Sequence, residues 1–474
     1  MKFAGLIGLL WFGGTLLSCA QQKKLPATPA ESSRAIAFPG AEGFGKYTTG
    51  GRGGRIEVVT TLDDSGPGSL RDALRGKEPK LVVFAVSGTI HLQSRLLVSP
   101  NTTLAGQTAP GDGICLADYP VSLGGDNIIV RYMRFRMGDK NQKGGMVNGN
   151  GSDDAFGGTG RKNIIVDHCS MSWSTDEVFS VYGGDSVTLQ WNLVAEPLNY
   201  SYHFETGDTG YEHHGYGGIW GGRHLTAHHN LLAHCASRNP RFEGTRNNPE
   251  ELVDYTNNVL YNWGHNNVYG GEGGQYNVVN NYYRPGPQTA KNVRSRIVNP
   301  SKQKKPVIPF GKYYVAGNVV EGDDAVTADN RIGVHMGDGT QADKEEALVA
   351  TAFPSVSVPP EPAARSFALV LAGVGASFRR DTLDARIIED VKKGRGRFID
   401  VQGGYPHGTP YEATANAWPA LRSLPAPVDS DRDGMPDSWE KANGLNPASA
   451  ADASLTTLDR HYTNIEVYIN QIIR

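Results

Sequence analysis

Between residues 127 and 320 the chain returns again and again to one pattern. Short runs of alternating apolar and polar positions, rich in β-branched residues, are broken by Gly, Asn and Asp. NIIVRYMRF (127–135) is echoed by NIIVDHCSM (163–171), and SVTLQWNLV (186–194), HLTAHHNLL (224–232), VDYTNNVLYN (253–262), NVVNNYYR (277–284) and YYVAGNVV (313–320) follow. A period of two over such short spans predicts strands. The separators are turns and not crossover helices, which argues against a doubly wound α/β sheet. Asn recurs at Asn192, Asn230, Asn258, Asn281 and Asn318. That uneven period predicts coils of one solenoid with loops of different length inserted at the turns. Asn at equivalent turns can stack and bond the neighbouring backbone. The expected fold is all-β, a right-handed parallel β-helix. In HLTAHHNLL, alternation should send one histidine of the pair His228/His229 inward and the other outward.

Solenoid ends must be covered, because an open end exposes core and strand edges. SLRDALRG (69–76), after a GPG turn, is the candidate N-terminal cap helix. Beyond residue 320 the pattern turns helical, in SFALVLAGVG (366–375) and LDARIIEDVKKGRG (383–396), after a linker-like bend VPPEPAAR (358–365). The second helix closes on basic residues and Gly, a C-terminal signal. The expected organisation is a signal peptide over 1–19, a tether over 20–35, a main β-helix domain over 36–330, an extension over 331–424 packing on the β-helix, and a last module over 425–474.

Composition narrows the function classes. The chain has 474 residues, 59 of them Gly, and a formal net charge of −3. Neither nucleic-acid binding nor a polybasic membrane surface is predicted. The opening MKFAGLIGLLWFGGTLLSCAQQKK has a Lys near its start and an apolar run too short to span a bilayer, so it reads as an export signal. Its LLSC resembles the bacterial lipobox, in which Cys19 would be lipidated; a plain signal peptide is the alternative. The protein is therefore expected to be exported, as an outer-membrane lipoprotein or secreted, with a lipid anchor as its only membrane contact. Cys115, Cys169 and Cys235 suit neither zinc nor a disulfide framework, so buried free thiols are expected.

DSDRDGMPDSWE (429–440) carries the ligand plan of an EF-hand loop. Asp429, Asp431, Asp433 and Asp437 fill positions 1, 3, 5 and 9, Gly434 fills position 6 and Glu440 position 12, while Met435 would offer its backbone carbonyl. Pro436 departs from the usual apolar residue. A constitutive Ca2+ staple is expected, with YTNIEVYIN (462–470) as the helix it pins.

HCASRNPRFEG (234–244) sets two arginines, Arg238 and Arg241, beside the repeat. A guanidinium can fork both oxygens of a carboxylate, so an acidic ligand is indicated. With AFPGAEGFGKYTTGGRGG (37–54), TLDDSGPGSLRDAL (61–74), AGQTAPGDGI (105–114), VDHCSMSWSTDEVFSV (166–181) and RNPRF (238–242), the chain resembles polysaccharide lyase family 1, in its pectate lyase C-like branch. The resemblance implies a right-handed parallel β-helix that cuts polygalacturonate by calcium-dependent β-elimination. That reaction removes the proton at C5 and expels the oxygen at C4. The neighbouring carboxylate opposes it, because the developing dianion repels itself, unless metal and cations surround it.

Residue by residue, the resemblance gives Arg238 the role of base at C5. Arg stays protonated far above neutrality, so that role needs local perturbation or alkaline pH. Arg241 would clamp substrate; Glu243 stands where relatives carry a second arginine. The cleft calcium falls to Asp154 and Asp176, with Glu177 as a replacement ligand, since Ser152 and Ser180 occupy two positions where carboxylates are expected. Asp153 should point away from Asp154. A cleft Lys of the family is absent, and His214 or Tyr216 would take its binding role. The expected partner is polygalacturonate or pectin, met by a monomer. Three alternatives carry different signatures: a pectin lyase on methyl-esterified chains would need no calcium, a glycoside hydrolase would need paired acids, and a lipid-anchored uronan-binding protein would lack turnover.

Overall fold

The alternating runs become rungs of three parallel sheets, one strand of each per coil. The protein is seen as a computed structural model that describes residues 34–142, 153–356 and 358–473, with Met1, Met146 and Gly151. The first sheet runs from Arg55–Val59 to Lys312–Ala316, the second from Gly88–His91 to Val319–Val320, and the third from Leu96–Val98 to Val298–Pro300. Phe179–Gln190 turns the corner from the third sheet into the first, and every strand pairing is parallel. This is a right-handed parallel β-helix.

Register explains the core. One inward column of the first sheet reads Val82, Leu104, Val130, Val166, Leu189, Ala227, Tyr255 and Val278, each directly over the next. All are buried. Where the chain leaves the first sheet for the second, an asparagine ladder runs through Asn192, Asn230, Asn258, Asn281 and Asn318. Each residue's backbone N–H and Nδ2 donate to Oδ1 of the next, at 2.8–3.0 Å. Asn330 ends the ladder, accepting from Asn318. The residues just before these positions, and before Met133 and Cys169 at the same corner of earlier coils, sit in the left-handed region: Tyr132, His168, Trp191, His229, Asn257 and Asn280. The rings of the first four stack, Trp191 on His229 at 4.3 Å. Buried amides that satisfy one another along the axis fix the coil register and cost no unpaired polar group.

What covers each sheet decides where a ligand can bind. The outer face of the first sheet is covered by the Gly-rich segment after residue 35. Gly45 N donates to Thr188 Oγ1 at 2.8 Å and Phe44 N to Thr226 Oγ1 at 3.1 Å. The approach is close enough that a Cβ on Gly51 would lie 1.8 Å from the Lys80 carbonyl. This segment changes the histidine pair. His228 faces outward yet is fully buried beneath it, 3.7 Å from Glu42, and His229 is held in the corner stack. Neither histidine enters the core as alternation predicted, because the strand ends at His228 and His229 takes the left-handed corner, its ring 2.9 Å from that of His228 and 3.5 Å from Glu361.

The second sheet lies under the helices Ala363–Gly373 and Thr382–Lys393. Val370, Leu371, Leu383 and Ile387 pack on Leu193, Leu231 and Val259. The buried guanidinium of Arg136 is held by Asp381 and Asp384 from the second helix. The C-terminal end of the solenoid is closed by Asp324–Ala328 and Gln341–Ala347, two short helices the alternating pattern does not announce; Val326 and Ala347 join the core there. At the other end Leu70–Ala73 buries Leu70 and Ala73, with Ser69 accepting from Asp72 N. Cys115, Cys169 and Cys235 are free and buried. No helix among the described residues is long and apolar enough to cross a membrane. Cys19 lies outside the described residues.

Candidate active site

Among the described residues, the third sheet is the one left open. Its outward column reads Leu97, Ser122, Gly157, Ser180, Ile219, Arg241 and Tyr269. Beneath it Phe135, Phe156 and Phe179 stack at 4.0 and 5.6 Å, a rigid floor. A cavity of about 470 Å³ opens over the first of these strands, lined by Arg95, Asp154, Arg161, Asp176, Glu177 and Ser180 among others.

The charged groups enter from the turns that lead into this sheet, on four successive coils. Asp154 comes from the first and Asp176 and Glu177 from the second. His214 and Tyr216 come from the third, and Arg238 from the fourth. Backbone bridges Glu177–Tyr216 and Tyr216–Ser237 hold the order. Arg238 itself is in the left-handed region, at φ 55°. Strain of that kind persists only where the surroundings fix it. Here Glu177 pairs with its guanidinium and the Tyr216 ring lies 4.8 Å away.

Asp154, Asp176 and Glu177 each bring a carboxylate oxygen within 4.8 Å of the others. Asp154 Oδ1 accepts from Glu177 N at 3.1 Å. Burial, and next the charge of Asp176, push the Asp154 carboxyl well above its usual range, although Arg238 pulls the other way. Burial also opposes ionisation of Asp176, but the hydrogen bond and charge of His214 prevail and hold its carboxyl below the usual range. His214 Nε2 lies 2.8 Å from Asp176 Oδ1 and 3.8 Å from Glu177 Oε1. Crowded hard oxygens of this kind suit Ca2+. Asp153 turns away from them, to Arg95 at 2.6 Å and to Asn141, and burial pushes its carboxyl up to about 6.

The expected residues are thus distributed unevenly. Asp154, Asp176, Glu177 and Arg238 come together. His214 sits behind Asp176 and is buried, so it positions that carboxylate. Tyr216 lies between the His214 ring, at 3.6 Å, and Arg238. Arg241 reaches the open face, but its guanidinium is engaged by Glu272 at 2.8 Å and by the carbonyls of Phe242 and Glu243. Its geometry is that of a brace. Glu243 is a second brace, accepting from Gly183 N and Asn247 Nδ2. Two cations of the cavity, Arg95 and Arg161, carry no sequence signal. Each is a lone arginine at a coil edge, and only coiling brings them beside Asp154. His203 is a third such residue: its Nδ1 bonds the Gly151 carbonyl at 2.8 Å and its ring stacks on His214 at 3.7 Å.

A second acidic group lies in the tail. Asp429, Asp431 and Asp433 bring oxygens within 4.8 Å of one another, and so do Asp433, Glu440 and Asp452. Asp437 is turned outward, accepting from Ser430 N and Oγ, both at 2.8 Å. The Met435 side chain is fully buried against Leu81, Val83 and Ala105.

Crowded carboxylates thus stand beside an arginine at the edge of a sheet that no described residue covers. The chain is 34% identical over 453 residues to a protein named "Probable pectate lyase C" from Aspergillus terreus, covering 93% of this chain and 95% of that one. A protein of the same name from Aspergillus flavus is 35% identical over 455 residues, with the same coverage. A solved pectate lyase bound to hexasaccharide overlaps 71% of this chain and 97% of its own, at 15% identity and a TM-score of 0.47. No protein-family model matches. The chain belongs to the pectate lyase C family of polysaccharide lyases.

Proposed function

We infer that the protein is a pectate lyase. It cleaves α-1,4-linked polygalacturonate by calcium-assisted β-elimination and leaves a 4,5-unsaturated sugar at the new end. The observation that carries this reading is the meeting of Asp154, Asp176, Glu177 and Arg238, from three of four successive coils, at the edge of the open sheet. Calcium held by the three carboxylates would neutralise the uronate carboxylate and so acidify the C5 proton. Asp154 and Asp176 would hold that ion, with Glu177 as the third ligand. His214 keeps Asp176 ionised and fixes its direction. Arg238 is the proton acceptor at C5, stacked on Tyr216 and held by Glu177 at the cavity edge. Arg95 and Arg161 offer fixed positive charge to the uronates of neighbouring sugars. Arg241 supports the Arg238 turn through Glu243 and Glu272. The leader exports the enzyme.

The test is polygalacturonate incubated with and without calcium and followed by the ultraviolet absorbance of the unsaturated product. Absorbance should rise only with calcium. Reducing ends that accumulate without that absorbance would mean hydrolysis and would remove the lyase reading.

A further inference from the structure

The tail loop obeys the EF-hand spacing, yet its side chains do not all take the places that spacing assigns. Asp437, at position 9, is turned outward onto Ser430, with Lys441 3.7 Å away, and is not among the converging carboxylates; Asp429 also accepts from backbone N–H groups of its own loop, yet stays within 4.8 Å of Asp431 and Asp433. Inside, Glu440 is fully buried and neither of its carboxylate oxygens has a hydrogen-bond partner. Asp433 is 2% exposed, with Oδ2 unpartnered, and Oδ1 of Asp452 is also unpartnered. Those three side chains converge, and among the described residues no ion pair reaches any of them. Buried carboxylates without donors or countercharge are strongly disfavoured unless a cation sits between them.

We propose that the tail holds one Ca2+ in a composite site made by Asp429, Asp431, Asp433, Glu440 and Asp452, without Asp437, and that this ion locks the tail onto the first coils of the β-helix. Asp452 lies twelve positions beyond Glu440, outside the loop, and is aimed by its own surroundings. Its Oδ2 accepts from Asn446 N at 3.0 Å, and its carbonyl accepts from Asn464 Nδ2 at 2.9 Å. A purely oxygen donor set rich in carboxylates favours Ca2+ over Mg2+, which keeps its waters and demands strict octahedral geometry.

The locking follows from what the bridged segments carry. Ala453, next to Asp452, packs with Met435, Ile465 and Ile469 on Leu81, Val83 and Ala105 of the first sheet. The helix Asn464–Gln471 then pairs Glu466 with Arg52 at 2.9 Å and Asn470 with Arg131 at 3.0 Å. An ion shared by the loop and Asp452 joins the two halves of this docking surface. Without it, five carboxylates repel one another at the same seam.

The test uses the full chain carrying Asp154→Asn and Asp176→Asn, so that the cleft does not contribute. After chelation, calcium is titrated by calorimetry and by thermal melting. Asp452→Asn should weaken calcium binding by about tenfold or more and lose most of the calcium-induced rise in melting temperature. Asp437→Asn should change the affinity by less than about threefold. In chelator, Asp452→Asn should melt no lower than its parent, because the substitution removes repulsion; a lower melting point there would mean a merely structural role and overturn the ligand assignment. The reverse pattern, with Asp437→Asn losing calcium and Asp452→Asn retaining it, would also overturn it. Should Asp452→Asn not fold, proteolysis of the parent decides. Calcium must protect residues 425–474, and equal cleavage with and without it would refute the lock.

Discussion

In the cleft, Asp176 faces His214 at 2.8 Å, Glu177 meets Arg238, and Asp153 meets Arg95. In the tail, Glu440, Asp433 and Asp452 face one another with no basic side chain among them. The residue types are the same but the electrostatic settings are opposite. On the proposed reading, cations beside the cleft carboxylates would keep that region folded without metal and weaken its hold on calcium, leaving room for substrate oxygens to complete the site. The tail carboxylates have no such compensation among the described residues, so the proposed ion would carry their stability. Turnover would thus fall to one region and permanent occupancy to the other.

The largest effect expected from breaking this contrast is at Arg238. Arg238→Ala should lower turnover by about 10²- to 10⁴-fold, the range of a general base. The far-ultraviolet circular dichroism should stay unchanged, because a half-buried edge residue carries little core packing. Retention of most of the activity would take the base role away from Arg238.

Next in size is the cleft pair. Asp154→Ala with Asp176→Ala should reduce turnover by about 10²-fold, partly recovered at high calcium, because substrate oxygens can complete a weakened site. The matching tail pair, Asp431→Asn with Glu440→Gln, should leave turnover per folded molecule within about twofold and abolish calcium-dependent thermal stabilisation. If the tail pair loses turnover and the cleft pair keeps it, the assignment of the two regions is inverted.

A smaller effect is expected at His214. His214→Ala should raise the calcium needed for half-maximal rate by about 10-fold, the scale for a residue that orients a ligand, with little change in rate at saturating calcium. A fall in the saturating rate alone would place His214 in contact with substrate.

The contrast also has a pH signature. In chelator, burial raises Asp433 and Glu440 to about 7, with the charges of Asp431 and other neighbours adding to the effect. A carboxyl raised in the folded state stabilises the fold below its unfolded pKa, near 4, and that stability is lost as pH rises through about 7. The metal-free melting temperature should therefore fall between pH 5 and pH 8. Saturating calcium should remove the fall, since it binds the ionised form. A melting temperature that rises with pH in chelator would contradict the unpaired state of the tail.

Much of this was legible in the chain. Period-two runs and recurring asparagines announce the coils, because every coil repeats the same inward and corner positions. Asn330 was not legible, since it joins the ladder from the turn after a short helix. The loop spacing revealed Asp429 to Glu440, but Asp452 sits in an aperiodic turn that only the fold returns to the loop. Arg238 and Arg241 are three residues apart and read as a pair. In space one faces Glu177 and the other is braced by Glu272, because the strand Arg241–Phe242 begins between them. Arg95, Arg161 and His203 carry no local pattern at all. Sites assembled across coils escape a reading along the chain wherever a single residue per coil contributes.

The most direct measurement is the initial rate of ultraviolet-absorbing product from polygalacturonate across a calcium titration, on wild-type protein and on the Asp154→Ala, Asp176→Ala variant. The expected result is a rate that vanishes in chelator, saturates with calcium in the wild type, and needs far more calcium in the variant. Identical calcium curves for the two proteins, or a wild-type rate untouched by chelation, would contradict a cleft that works through calcium.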